Sequence, residues 1–375
     1  MKRLDLTLLM CSMAFLIPSA AMADGITPLL MAGAFQLLVG NLFIGILEGY
    51  IIARVFKVRA VSSTGIMILA NYFSSFAGLY ILGRLGFYYG TAPDWVTIYN
   101  ARTITWLLWP ASFAITVVLE WPFCLWILSK RQHRLRASWK ASLIAQTASY
   151  TILVLWFGLM VSHVQLNTSE IDRSLSFAHG DHATVYFLSQ KDGNVYSVRL
   201  DGSRRTRVFV NPIRNSDTRL YMKASKSVGF YDLCVGTWNM TWHISPSEVH
   251  EHGRILISKA VRPDTDSLIG NGRPDESNPM DLRPRAASPP AIKGRDWYYM
   301  EAGFGGFSAG KEKGEHGIRI GVESPFMSWE SGYVNVLPGN IVVFQLGHQI
   351  LVVDVNRRKF GLLAVGRCPV VIPDR

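Results

Sequence analysis

The stretch GNLFIGILEGYIIARVFK, residues 40–57, decides the fold class. It is apolar enough to cross a bilayer, yet Glu48 stands inside it, where a charged side chain costs at least ~2.5 kcal/mol on insertion scales. Outward from it, apolar runs lie near 29–56, 64–84, 104–129 and 141–162, and no comparable run follows. A spanning helix needs roughly 20 such residues. Hydrophobic residues make up 49% of the chain and charged ones 17%, a balance that points to membrane segments. The sequence therefore predicts an α-helical four-span membrane bundle over 24–163, followed by an all-β extracytoplasmic domain over 164–375.

Ahead of the first run stands MKRLDLTLLMCSMAFLIPSAAMADG, with Lys2 and Arg3, a short apolar core and the small-residue sequence Ala21-Met22-Ala23. This is the layout of a secretory signal peptide, and cleavage after Ala23 is expected. The net charge of +11 is a topology signal. Arg54, Lys57 and Arg59 lie between spans one and two, and Lys130, Arg131, Arg134, Arg136 and Lys140 between three and four, whereas the middle loop carries only Arg84 and Arg102. By the positive-inside rule the first and third loops are cytoplasmic, and the chain after about 163 lies outside. That distribution excludes nucleic acid as a partner. The expected location is the bacterial inner membrane, multi-pass, with the C-terminal domain periplasmic or extracellular.

The two helical hairpins show a faint internal repeat. Glu48 and Glu120 each precede a basic loop, and Asn71 with Ser74 lines up with Gln146 and Ser149. Glu48 lies about eight residues from the end of its run and Asn71 about eight into the next, so at 1.5 Å per residue both sit ~12 Å from the cytoplasmic boundary. Glu120 and Gln146 repeat the arrangement. The expectation is one intramembrane polar layer of Glu48, Asn71, Ser74, Glu120, Gln146 and Ser149, with Asn71 donating to Glu48 inside the bundle. Such a layer serves either as a clamp between helices or as a proton or ion site. Gly33, Gly40, Gly45 and Gly49 give the first run a small face for close packing.

After Ser162 short alternating runs separated by Gly, Asp and Asn predict β-strands and tight turns. The clearest is TVYFLSQKDGNVYSVRLDGS, with strands at 185–189 and 195–200 around an Asp192-Gly193 hairpin turn. It resembles a blade of a β-propeller of the TolB or WD-like kind, and NIVVFQLGHQILVVDVNRRKFGLLAVGRCPVVI, from Asn340, is a second such stretch. The resemblance implies a small propeller-like domain, with a β-sandwich as the alternative. Residues 262–295, rich in Pro, Asp, Asn and Ser, are expected to form a long mobile loop.

Chemistry-bearing motifs are sparse in this half. Cys234 and Cys368 could pair in an oxidising compartment or remain two buried thiols, and His243, His250 and His252 are weak candidates for a metal. GGFSAGKE has the Gly305, Gly310 and Lys311 spacing of a phosphate loop, but Glu312 replaces the hydroxyl that would hold Mg²⁺, so a glycine-rich turn between strands is expected. No nucleophile pattern stands out and no cofactor is indicated. The function expected first is non-catalytic: an exported β domain that binds an envelope protein or ligand while the bundle, embedded in lipid, anchors it or joins a complex. A transporter or proton-coupled component using Glu48 and Glu120 is the alternative, and an exported hydrolase the third.

Overall fold

The computed structural model describes residues 39–87, 92–160, 164–166, 170–178, 183–212, 218–224, 231–238, 249–256, 292–293, 298–301, 306–310, 317–322, 324 and 326–373. The expected signal peptide, His243 and 262–291 lie outside them. Among the described residues are four α-helices: α1 (Asn41–Phe56), α2 (Ala60–Arg84), α3 (Ala101–Ile127) and α4 (Arg134–Met160). Two of them, α2 and α3, are long and apolar enough to cross a membrane. As described, α1 has 16 residues, and α4 opens on Arg134, Arg136 and Lys140.

The helices pack in a ring, α1 on α2, α2 on α3, α3 on α4 and α4 back on α1. Their polarity is inverted relative to a water-soluble bundle. Large apolar side chains such as Phe73, Phe76, Tyr80, Trp106, Leu107 and Leu155 face outward, while Glu48, Asn71, Glu120, Ser138, Ser142 and Gln146 are buried. In water such a bundle would forfeit the burial of its apolar surface, worth about 25 cal/mol per Å². Glycine sets the spacing of the first pair. A Cβ built on Gly45 would stand 2.5 Å from Ile68 Cα, and one on Gly49 2.4 Å from Thr64 Cα, so the two backbones touch where only hydrogen fits. The turns 57–59 and 128–133 share one end of the bundle, where the Arg131 guanidinium donates to the Phe56 carbonyl.

Among the described residues fifteen strands follow: β1 (Val164–Gln165), β2 (Ala183–Ser189), β3 (Val195–Arg199), β4 (Thr206–Phe209), β5 (Thr218–Ala224), β6 (Tyr231–Trp238), β7 (Val249–Leu256), β8 (Ile292–Lys293), β9 (Tyr298–Glu301), β10 (Phe307–Gly310), β11 (Ile318–Val322), β12 (Ser331–Leu337), β13 (Ile341–Leu346), β14 (Gln349–Asp354) and β15 (Lys359–Pro373). They form three antiparallel sheets, ordered β12-β13-β14-β15-β2-β3-β4, β1-β11-β10-β9-β8 and β5-β6-β7. The two stretches that read as hairpins are thus joined in one sheet through the 15-residue β15. That sheet is covered on both faces. Val342, Phe344, Leu351 and Val353 pack toward the five-stranded sheet, while Ile341, Val343, Ile350 and Val352 pack with Val185 and Phe187 on the other side. Burial on both sides is why β13 and β14 read as nearly continuous apolar runs.

Three expectations are corrected here. Ile292–Lys293, placed in the mobile loop, are a strand paired with β9. Phe307–Gly310, read as a turn, are a strand paired on both edges, with β9 and β11, because cross-strand bonding outweighs the turn preference of the glycines. Cys234 and Cys368 are not joined by a disulfide. Leu233 and Val235 pack in the same cluster as Cys368, and strand alternation turns the intervening Cys234 to the other face of its sheet. The Cys368 thiol instead lies 3.2 Å from the Tyr333 hydroxyl, as donor to it.

The segment between α2 and α3 belongs to the β domain as much as to the bundle. Phe87, Ala92, Val96 and Ile98 are buried among β-strand residues. The Ile98 N–H donates to Gln349 Oε1 at 2.9 Å, and the Trp109 and Phe326 rings meet edge-on at 5.4 Å. The β domain therefore sits at the end of the bundle opposite the two basic turns.

Candidate functional site

All six residues of the expected polar layer are buried, and Glu48 and Glu120 are each 0% exposed. They converge because α1 and α3 run in the same direction on opposite corners of the ring and α2 and α4 run back between them. Within the first hairpin Asn71 Nδ2 donates to Glu48 Oε2 at 2.6 Å; within the second, Gln146 Nε2 donates to Glu120 Oε2 at 2.5 Å. Across the hairpins Ser74 Oγ donates to Glu120 Oε1 at 2.6 Å, and Ser149 stands beside Glu48. Gln146 breaks the symmetry, since its amide also donates to Glu48 Oε1 at 3.1 Å. One NH₂ group therefore spans both carboxyls.

The serines give the layer chemical latitude. Ser74 Oγ is also 3.1 Å from the Asn71 carbonyl, and Ser149 Oγ 3.2 Å from that of Gln146. A hydroxyl has one proton and two lone pairs. Facing a carboxylate it donates to it; facing a carboxylic acid it accepts that proton and turns its own toward the helix carbonyl. Either protonation state is thus satisfied without movement of the backbone. No Lys, Arg or His is buried in the bundle among the described residues, so no fixed cation compensates the pair.

The surroundings differ above and below. Toward the basic turns the layer rests on Ile52, Met67, Cys124, Leu128, Ala141 and Ala145, all fully buried. Toward the β domain are Asn41, whose Oδ1 accepts from Ser75 Oγ at 3.1 Å, and Thr116, whose hydroxyl lies 3.1 Å from that of Tyr150. Sequence reading missed Asn41, Thr116 and Tyr150, although each lies one or two turns from a layer residue. Of the weak metal candidates, His243 lies outside the described residues and His250 and His252 fall on β7, of which only the backbone is described; the described residues hold no group of three or more His, Cys, Asp or Glu that could bind a metal.

Comparison with known proteins adds little. No family model and no curated protein matches the chain. A crystal structure of a protein from Lactobacillus plantarum aligns with 52% of this chain at 12% identity and a TM-score of 0.13. The chain spans about half of that protein's length, 54%. So low a score carries no likeness of fold, and the propeller resemblance draws no support from it.

Proposed function

We propose that this is a four-span protein of the bacterial inner membrane, with its β domain outside, in which the Glu48–Glu120 pair binds and releases a proton. The observation that carries the reading is the single Gln146 amide bridging two carboxyls, with the Ser74 hydroxyl on Glu120 able to serve as donor or acceptor. Two adjacent carboxyls in a water-poor interior do not both hold a negative charge; they share a proton and titrate as a pair. The inverted polarity of the bundle and the five basic residues of the turn and start of α4 support the span number and orientation. Because the α2–α3 segment is built into the β domain, a shift between α2 and α3 is carried into that domain.

The test is reaction of the membrane-embedded protein with a hydrophobic carbodiimide, which adds a protonated carboxyl across its C=N bond. Mass spectrometry should find the adduct on Glu48 or Glu120, diminishing as the pH is raised. A layer unlabelled at every pH at which the fold survives contradicts the reading.

A second reading keeps the layer as a clamp and gives the function to the exported domain as a partner-binding module. The feature that favours it is β4, an edge strand of the large sheet, exposed along Thr206–Val208 and flanked by Arg204, Arg205 and Val210. Unpaired edges accept an added strand. In this reading β12–β13–β14 with the first part of β15, and the rest of β15 with β2–β3–β4, are two blade-like meanders closed by the C-terminal strand. Pull-down of envelope proteins that is lost on Val208→Pro separates this reading from the first.

A further inference from the structure

Building on the proton-binding reading of the layer, we infer that protons reach the Glu48–Glu120 pair from the β-domain end of the bundle and not from the end formed by the basic turns. The two halves of the bundle are packed with opposite chemistry. Below the layer, Ile52 stands one turn from Glu48, Cys124 one turn from Glu120, and Met67 one turn before Asn71, all at 0% exposure. The few polar atoms at this level are already engaged: the Met67 carbonyl accepts the other Asn71 N–H at 3.0 Å, and the Ser142 hydroxyl donates to the Val117 carbonyl at 2.9 Å. Ser63, whose hydroxyl has no partner, lies beyond Met67 and cannot reach the carboxyls through it. Among the described residues, fully buried side chains close the bundle at this level.

Above the layer polar side chains take the place of the apolar ones. Thr116 is one turn from Glu120 on α3 and meets the Tyr150 hydroxyl, with Ser112 one turn further up the helix. On the other hairpin Ser75, next to Ser74, bonds Asn41. Ser75, Ser112, Thr116 and Tyr150 are only half-buried, in contrast to the closed packing below. The titratable groups facing the pair are few. Cys124 and Tyr150 come from α3 and α4, α1 contributes only Glu48 itself, and α2 presents only Asn71 and Ser74. Among the described residues no buried Lys, Arg, His or Asp of the bundle competes with the pair for the proton. The layer is thus built as a cup open toward the exported domain, so that it reports the acidity of that compartment.

The experiment uses the full chain reconstituted in one orientation in sealed vesicles with impermeant buffers. Infrared difference spectroscopy follows the C=O band of a protonated carboxyl after a pH step on one side alone. The expected result is a band that responds to the β-domain side and is silent to the other. It should be lost or shifted in Glu48→Gln and Glu120→Gln, and slowed in Thr116→Val. A band that follows the basic-turn side, or both sides equally, overturns the sidedness while leaving a titrating pair in place. A carboxyl band that follows neither side overturns the titrating pair itself, and with it this inference.

Discussion

Asn71 donates to Glu48 at 2.6 Å between two helices, in a layer where neither side chain can reach solvent. The contact makes the two residues thermodynamically one unit. Glu48→Leu should strand the Asn71 amide at a cost of ~1 to 3 kcal/mol. Asn71→Leu should cost a similar amount, and the double variant less than their sum by about 0.5 kcal/mol or more. Thermal unfolding in mild detergent reads the coupling; strict additivity would mean that the residues do not interact.

The glycines of the first hairpin differ in a way that stability measurements should resolve. Gly49→Ala places a methyl against the backbone of Thr64, where neither partner can yield, and overpacking of this kind costs roughly 1 to 3 kcal/mol. A Cβ at Gly65, one residue along from Thr64, meets nothing within 4 Å. Gly65→Ala should therefore be neutral or stabilising, since Ala is the better helix former by about 1 kcal/mol. Equal effects at the two positions would refute the close helix contact.

How much of this was legible depends on the range of the interaction. The pairing of Glu48 with Asn71 follows from equal depth in consecutive helices, which residue counting supplies. The bonds from Ser74 to Glu120 and from Gln146 to Glu48 do not, because they depend on how the hairpins pack together. Nor does the burial of the α2–α3 segment in the β domain, where Ile98 meets a partner 251 residues away. Local composition misled where pairing overrode it, as at Phe307–Gly310, whose glycines read as a turn. For Cys234 it was side-chain parity, set by the register of β6, that the sequence left undetermined.

In the β domain, Asp172 ties a short helical turn to the sheet. Its two carboxylate oxygens accept from the backbone N–H and hydroxyl of Ser174 and of Ser176, at 2.6 to 3.1 Å. Those hydrogen bonds hold its carboxyl down at about 2, below the ordinary 3.8. A depressed value means stability that is fully present above the unfolded-state range and lost as the pH falls through the folded one. Asp172→Asn should thus lower the melting temperature at neutral pH, and the gap from wild type should narrow between about pH 4 and pH 2. A gap that is constant over that window would show that the carboxylate charge plays no part.

The Arg131 guanidinium bonds Phe56 at one end of the bundle, and Ile98 bonds Gln349 at the other, so the turns at 57–59 and 128–133 must share a side, opposite the β domain. Positive residues are retained in the cytoplasm, and Lys57, Arg59, Lys130, Arg131 and Arg134 gather at the first of these ends. A reporter that is active only outside the cytoplasm should therefore be active when fused after Arg375 and silent when fused at Arg131 or Lys57. An activity pattern reversed at all three positions would invert the protein in the membrane and direct the open end of the carboxyl layer to the cytoplasm. Activity at Arg375 and Arg131 together would break the bundle geometry itself, because α4 would then no longer cross.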